Sequence, residues 1–143
     1  MSAPPPDGLQ RFVDAQDRGG AYTAALAELR RGRKTSHWMW FVFPQIAGLG
    51  RSPTAQYYAI ADLDEARGYL ADPVLGPRLV ECARALLDGP SDDTVAVLGP
   101  VDAQKLRSSM TLFAHAAPDE PVFAEVLDRF FDGQQDDATT SRL

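Results

Sequence analysis

Apolar residues along this chain recur at three- and four-residue intervals, and each such stretch is bounded by residues that start or stop helices. Tyr22, Ala25, Leu26 and Leu29 repeat at helical spacing and halt at Gly32, a left-handed C-terminal cap. Ser52-Pro53 supplies an N-cap and a first helical residue ahead of Tyr57, Tyr58 and Ile60. Asp62 with Glu65 three positions later has the form of a capping box for a short helix through Leu70. Asp72-Pro73 opens the next helix, with Leu75, Leu79, Cys82 and Leu86 on one stripe, ending at Gly89-Pro90. Ser91 caps a brief segment closed by Gly99-Pro100. A helix from about Val101 to His115 follows, then one from Asp119 to Asp132 that carries Val122, Val126, Phe130 and Phe131. Alternating strand patterns are missing. The β-like run Trp38 to Phe43 reads equally well as a helical turn that is apolar on every side. The pattern predicts an all-α fold of about seven short helices.

Composition narrows this picture. At 143 residues the chain is expected to form one domain, with residues 1–7 a disordered start, 8–133 the helical body and 134–143 an acidic, disordered tail. No stretch approaches the roughly 18 apolar residues of a membrane span, and MSAPPPDG lacks the form of a secretory leader. The single cysteine, Cys82, excludes an internal disulfide and fits a reducing compartment, so a cytoplasmic location is expected.

A net charge of −6 argues against duplex nucleic acid as a partner, which calls for a broad cationic face. The charge is unevenly spread, however. No acid lies between Glu28 and Asp62, whereas Arg30, Arg31, Arg33, Lys34 and Arg51 do. A basic island on an acidic protein suits a small anion. The alternative is that the first three arginines complement the dipole of the preceding helix.

The island leads into Thr35, Ser36, His37 and the aromatic run 38–43, which contains Trp38 and Trp40. Cations beside large rings can hold a flat anionic ligand by stacking and charge-assisted hydrogen bonds. The same residues also describe a helical core where it meets the surface. A second constellation, DAQKLRSSMTLF at 102–113, places Asp102, Leu106, Ser109 and Phe113 on one helical face with Lys105 beside them. Lys105 must then pair with Asp102, reach water or meet an anion. Together these suggest a pocket of Arg33, Lys34, Ser36, Trp38, Trp40, Lys105, Ser108 and Ser109, with His37 as the candidate proton donor. Metal-ligand spacings, phosphate loops and nucleophile elbows are missing, so no metal or cofactor is expected.

The strings GRKTSHWMWFVFPQIAGLGRS, LDEARGYL, LGPRLVEC and DAQKLRSSMTLF closely resemble the domain-of-unknown-function 1810 family over about residues 9–133. The resemblance implies a mostly helical fold and carries over no catalytic residue. Some members bear the label calpastatin, but this chain has no repeated inhibitory motif of that kind. In helical content and a Trp/Lys/polar pocket it is also similar to the NADAR proteins, which process ADP-ribose-linked substrates; this likeness is an analogy. The expected function is binding of a small, phosphate-bearing, ring-containing metabolite, nucleotide-like or ADP-ribose-like, with hydrolysis as the reaction class to try first. The competing expectation is a protein-interaction module or homodimer anchored by the aromatic run 38–43.

Overall fold

Ten α-helical segments follow one another along residues 8–143, the part of the chain that the computed structural model describes; the expectation for residues 1–7 falls outside it. They are α1 (Gln10–Asp17), α2 (Ala21–Arg31), α3 (Met39–Val42), α4 (Pro53–Tyr57), α5 (Leu63–Ala71), α6 (Leu75–Asp88), α7 (Thr94–Leu98), α8 (Pro100–Ala116), α9 (Pro121–Phe131) and α10 (Asp137–Thr140). The chain is all-α. Strand-like pairing among the described residues is confined to one parallel bridge between Ile46 and Ile60. Among the described residues, no helix is long and apolar enough to cross a membrane.

Local chemistry explains most boundaries. Gly32 (φ 82°) closes α2 in the left-handed region, its N–H donating to the carbonyls of Glu28 and Leu29. Ser52 and Asp62 accept from the third residue of α4 and α5, at 3.1 and 2.8 Å. Asp72 accepts from Val74 and Leu75 N–H, which starts α6 two residues after the expected Asp72-Pro73. At α7 the cap is Asp93, two residues beyond the expected Ser91, whose hydroxyl instead accepts from the Asp93 N–H. The aromatic run folds as one helical turn, α3.

Helix α8 is the spine, with α5, α7, α9 and α10 packed along it, while α6 joins α2, α5 and α9. It is buried all round from Ser108 through Phe113, which is why its apolar stripe is blurred by Ser108, Ser109 and Thr111. A chain of rings crosses the core: Phe12 on Tyr69 at 5.1 Å, Tyr69 on Phe113 at 5.3 Å, Phe113 on Phe123 at 5.8 Å. Cys82 lies fully buried on the inner face of α6, and burial pushes its thiol up to about 12.

Two buried polar side chains of α1 tie distant loops to this core. The Arg11 guanidinium donates to the carbonyls of Tyr57 and Ala59, each at 2.8 Å, and to that of Gly8, and it pairs with Glu65 at 3.3 Å. The Gln16 amide donates to Phe41 O at 2.8 Å and to the Tyr69 hydroxyl at 3.2 Å, and accepts from Arg78. Both polar groups are satisfied, so their burial carries little penalty.

The C-terminal residues depart from the expected loose tail. Residues 134–143 fold back on α8, and Asp136 is 7% exposed. Its carboxylate accepts from Ser108 Oγ (3.0 Å), Gln104 Nε2 (3.1 Å) and both the N–H and hydroxyl of Thr139. Its own N–H donates to Thr111 Oγ1 at 3.0 Å. Composition suggests a solvated acidic run; hydroxyls projecting from α8 give one of its acids a cap to fill.

Candidate functional site

The loop from Arg33 to Trp38 has neither helix nor sheet to satisfy its backbone, and Glu28 does that task. From the last turns of α2 its Oε1 accepts from Thr35 N (2.7 Å), Ser36 N (2.9 Å) and Trp38 Nε1 (3.0 Å). Burial alone would push this carboxyl up, but the donors of Ser36, Thr35 and Trp38 outweigh it and hold it at about 2. Lys34 N–H donates to Val97 O at 2.8 Å, fixing the loop to α7.

This framework aims Lys34 at the start of α8. Its ammonium lies 3.1 Å from Asp102 Oδ2 and 5.3 Å from the Trp38 ring centroid. Asp102 sits in the first turn of α8, where a carboxylate favours the helix dipole. One turn on, Lys105 Nζ is 3.8 Å from the other Asp102 oxygen and 5.3 Å from the Trp40 ring centroid. Two lysines some seventy residues apart in sequence therefore share one carboxylate, each over its own indole. Side-chain exposures of 11% for Lys34, 24% for Lys105 and 19% for Asp102 leave the cluster partly wet, with Lys105 the more accessible ammonium.

Lys105 also lines a narrow slot with Trp40, Phe43, Gln45, Gly50 and Tyr58, between α3 and the segment that leads through α4. The slot holds about 10 Å³, room for no more than one water. A far larger open trough of about 800 Å³ runs along the outer face of α6, lined by Arg30, Val80, Glu81, Arg84, Ala117 and Glu120 among others. Arg30 of the basic island lines it, but none of the eight expected pocket residues nor His37 does. We place the candidate site at the cluster because charge and rings converge there, whereas the trough's lining is largely apolar and holds no aromatic ring.

The expected site residues separate into groups. Lys34, Lys105, Trp38 and Trp40 come together around Asp102. Trp38 is 1% exposed and forms the floor, so its faces are closed to a ligand; Trp40 is half-buried. Ser36 is half-buried with its N–H on Glu28, while Arg33 and His37 are exposed. Ser108 is committed elsewhere, its hydroxyl on Asp136. Ser109 is fully buried and its Oγ has no hydrogen-bond partner. Of the aromatic run, Trp38, Met39, Val42 and Phe43 are buried, leaving Trp40 and Phe41 as its half-buried members. Among the described residues, no three His, Cys, Asp or Glu side chains gather as a metal-ligand set. Two residues central to the site were not named as such from the sequence: Glu28, and Asp102 as the acid common to both lysines. Glu28 is the last acid before the acid-free stretch, but spacing gives no sign that it turns back to cap the loop.

Comparison with known proteins gives two matches. A family described as "Protein of unknown function (DUF1810)" matches residues 6–143. The crystal structure of the conserved hypothetical protein Rv1873 from Mycobacterium tuberculosis superposes with a TM-score of 0.92 at 45% sequence identity, over 97% of this chain and 98% of that one. No curated protein matches.

Proposed function

The chain belongs to the DUF1810 family, whose description assigns no activity, and we propose from the geometry that it binds a small molecule carrying an anionic group and a flat ring. The anion would meet Lys105 and the ring would lie against Trp40, at the mouth of the slot. The observation that supports this reading is the state of Lys105: at 3.8 Å from Asp102 its ammonium is beyond hydrogen-bond length, yet it sits over an indole and lines a slot. Lys34 and Trp38 form the fixed base beneath it. The slot is too small to admit a ring as it stands, so binding requires movement of the residues 45–59 that form its far wall.

Hydrolysis would need a proton donor held beside the lysines. His37 is the nearest imidazole in sequence but is exposed, so the reading supported here is binding. A thermal-shift screen of nucleotides, ADP-ribose and sugar phosphates tests it. Stabilisation by at least one of them, lost in Lys105→Ala, is the expected result. No shift across the panel would sink the proposal.

A further inference from the structure

The cluster's charge count restricts what it can accept. Lys34 and Lys105 bring two positive charges. Asp102 lies between them, and Glu28 lies beneath, bonded to the indole that Lys34 covers. Glu28 is held at about 2 and is therefore ionised at neutral pH. Lys34, the one member of the basic island in this cluster, and Lys105 are thus balanced locally by two carboxylates, one of which, Asp102, comes from a helix about seventy residues along the chain from Lys34. Within the cluster, Asp102 is closer to Lys34 (3.1 Å) than to Lys105 (3.8 Å), so Lys105 is the ammonium available for exchange.

We propose that this site accepts a phosphate bearing a single negative charge, as in a phosphodiester, and discriminates against the dianionic phosphate monoester, with Asp102 as the specificity-determining residue. This rests on the binding reading above and specifies its ligand class. The first charge of a phosphate pairs with Lys105. A second charge would meet Asp102 a few ångströms away, with Lys34 already engaged, and like charges at that range in a partly desolvated site repel. Replacing Asp102 by its uncharged near-isostere removes the repulsion and releases Lys34 to the ligand.

The test compares adenosine 3′,5′-cyclic phosphate with adenosine 5′-phosphate, which share ring and ribose and differ in phosphate charge. Affinities are measured by calorimetry at pH 8, where the monoester is dianionic because its second ionisation lies at about 6. Wild-type protein is expected to prefer the cyclic diester by about tenfold, a 1.4 kcal/mol difference in binding. Asp102→Asn should bind the monoester at least about tenfold more tightly than wild type does, abolishing the preference, while Asp102→Glu should retain it. Equal or tighter wild-type binding of the monoester would overturn the proposal, as would an Asp102→Asn protein with an unchanged ratio. The wild-type ratio needs no variant, so a misfolded Asp102→Asn leaves the test standing. If neither nucleotide binds any of the three proteins, the binding reading itself falls.

Discussion

Two carboxylates are held along α8 in opposite ways, and the contrast separates the part of the molecule built to stay from the part able to exchange. Asp136, on the C-terminal strap, is 7% exposed and accepts from neutral donors alone: two hydroxyls, an amide side chain and a backbone N–H, the shortest at 2.6 Å. Asp102, at the helix start, is bound by two ammoniums at 3.1 and 3.8 Å, all three side chains partly wet. Neutral donors fixed on rigid backbone offer an arriving anion little. Ammoniums on flexible stems can turn from one oxyanion to another at small cost. The first arrangement joins two segments; the second is a place where a ligand can compete.

The comparison is broken most severely from beneath. Trp38→Ala removes the buried floor of the Asp102 cluster and should destabilise the protein by about 3–5 kcal/mol in urea unfolding, while hydrogen exchange in the C-terminal strap follows only global stability. A loss confined to the anion site would mean that Trp38 is not the core residue its 1% exposure indicates.

Glu28→Gln is next. The carboxyl is held at about 2 against an ordinary 4.5, so its ionised form stabilises the fold by roughly 3 kcal/mol. Because the folded value is the lower one, this contribution is complete above about 4.5 and fades as pH falls from there through about 2. Wild type should therefore lose stability across that window, and Glu28→Gln should be weaker at pH 7 with a flatter acid limb. Identical pH profiles for the two proteins would show that the loop's donors do not depend on this charge.

Asp136→Ala strips the strap of its cap, leaves the Thr139 hydroxyl buried without its acceptor and leaves Ser108 only the Gln104 carbonyl at 3.2 Å. About 1–3 kcal/mol should be lost, with faster hydrogen exchange in residues 134–143. The smallest effect is expected from Asp102→Asn, within about 1 kcal/mol of wild type and shrinking with salt, as is usual for partly solvated ion pairs. If Asp102→Asn proved the more damaging of the two, the assignment of fixed and exchangeable roles would have to be reversed.

What could be read from the sequence divides along the same line, between local and distant. Caps at Gly32, Ser52 and Asp62 were legible because the residue that stops or starts a helix lies within a few positions of the group it satisfies. The run at α3 is too apolar for its pattern to choose between strand and helical turn, and the choice of a helical turn comes from the structure. A common pocket for Lys34 and Lys105 is suggested in the sequence by a basic island beside rings and by a lysine on an apolar helix face, but spacing does not decide between that and a simple Asp102–Lys105 pair. The acid they share, and Glu28 under the loop, were illegible as site residues because their roles depend on three-dimensional closure. Ser108 shows the limit of a helical wheel. It projects about 60° from Lys105 on one side and Ser109 about 40° on the other, which looks like one wall. The returning strap divides them, taking Ser108 for Asp136 and leaving Ser109 inside. The α6 boundary slipped by two residues for a local reason: the Asp72 side chain caps Val74 and Leu75, so the proline after it is passed before the helix begins.

The lone sulfhydryl gives these comparisons a practical instrument. Cys82, sealed inside α6 and reluctant to ionise, should ignore alkylating reagents as long as the molecule stays shut. Its labelling rate then becomes a clock for opening events, carried by the native chain without any added probe, and each substitution above can be timed against it.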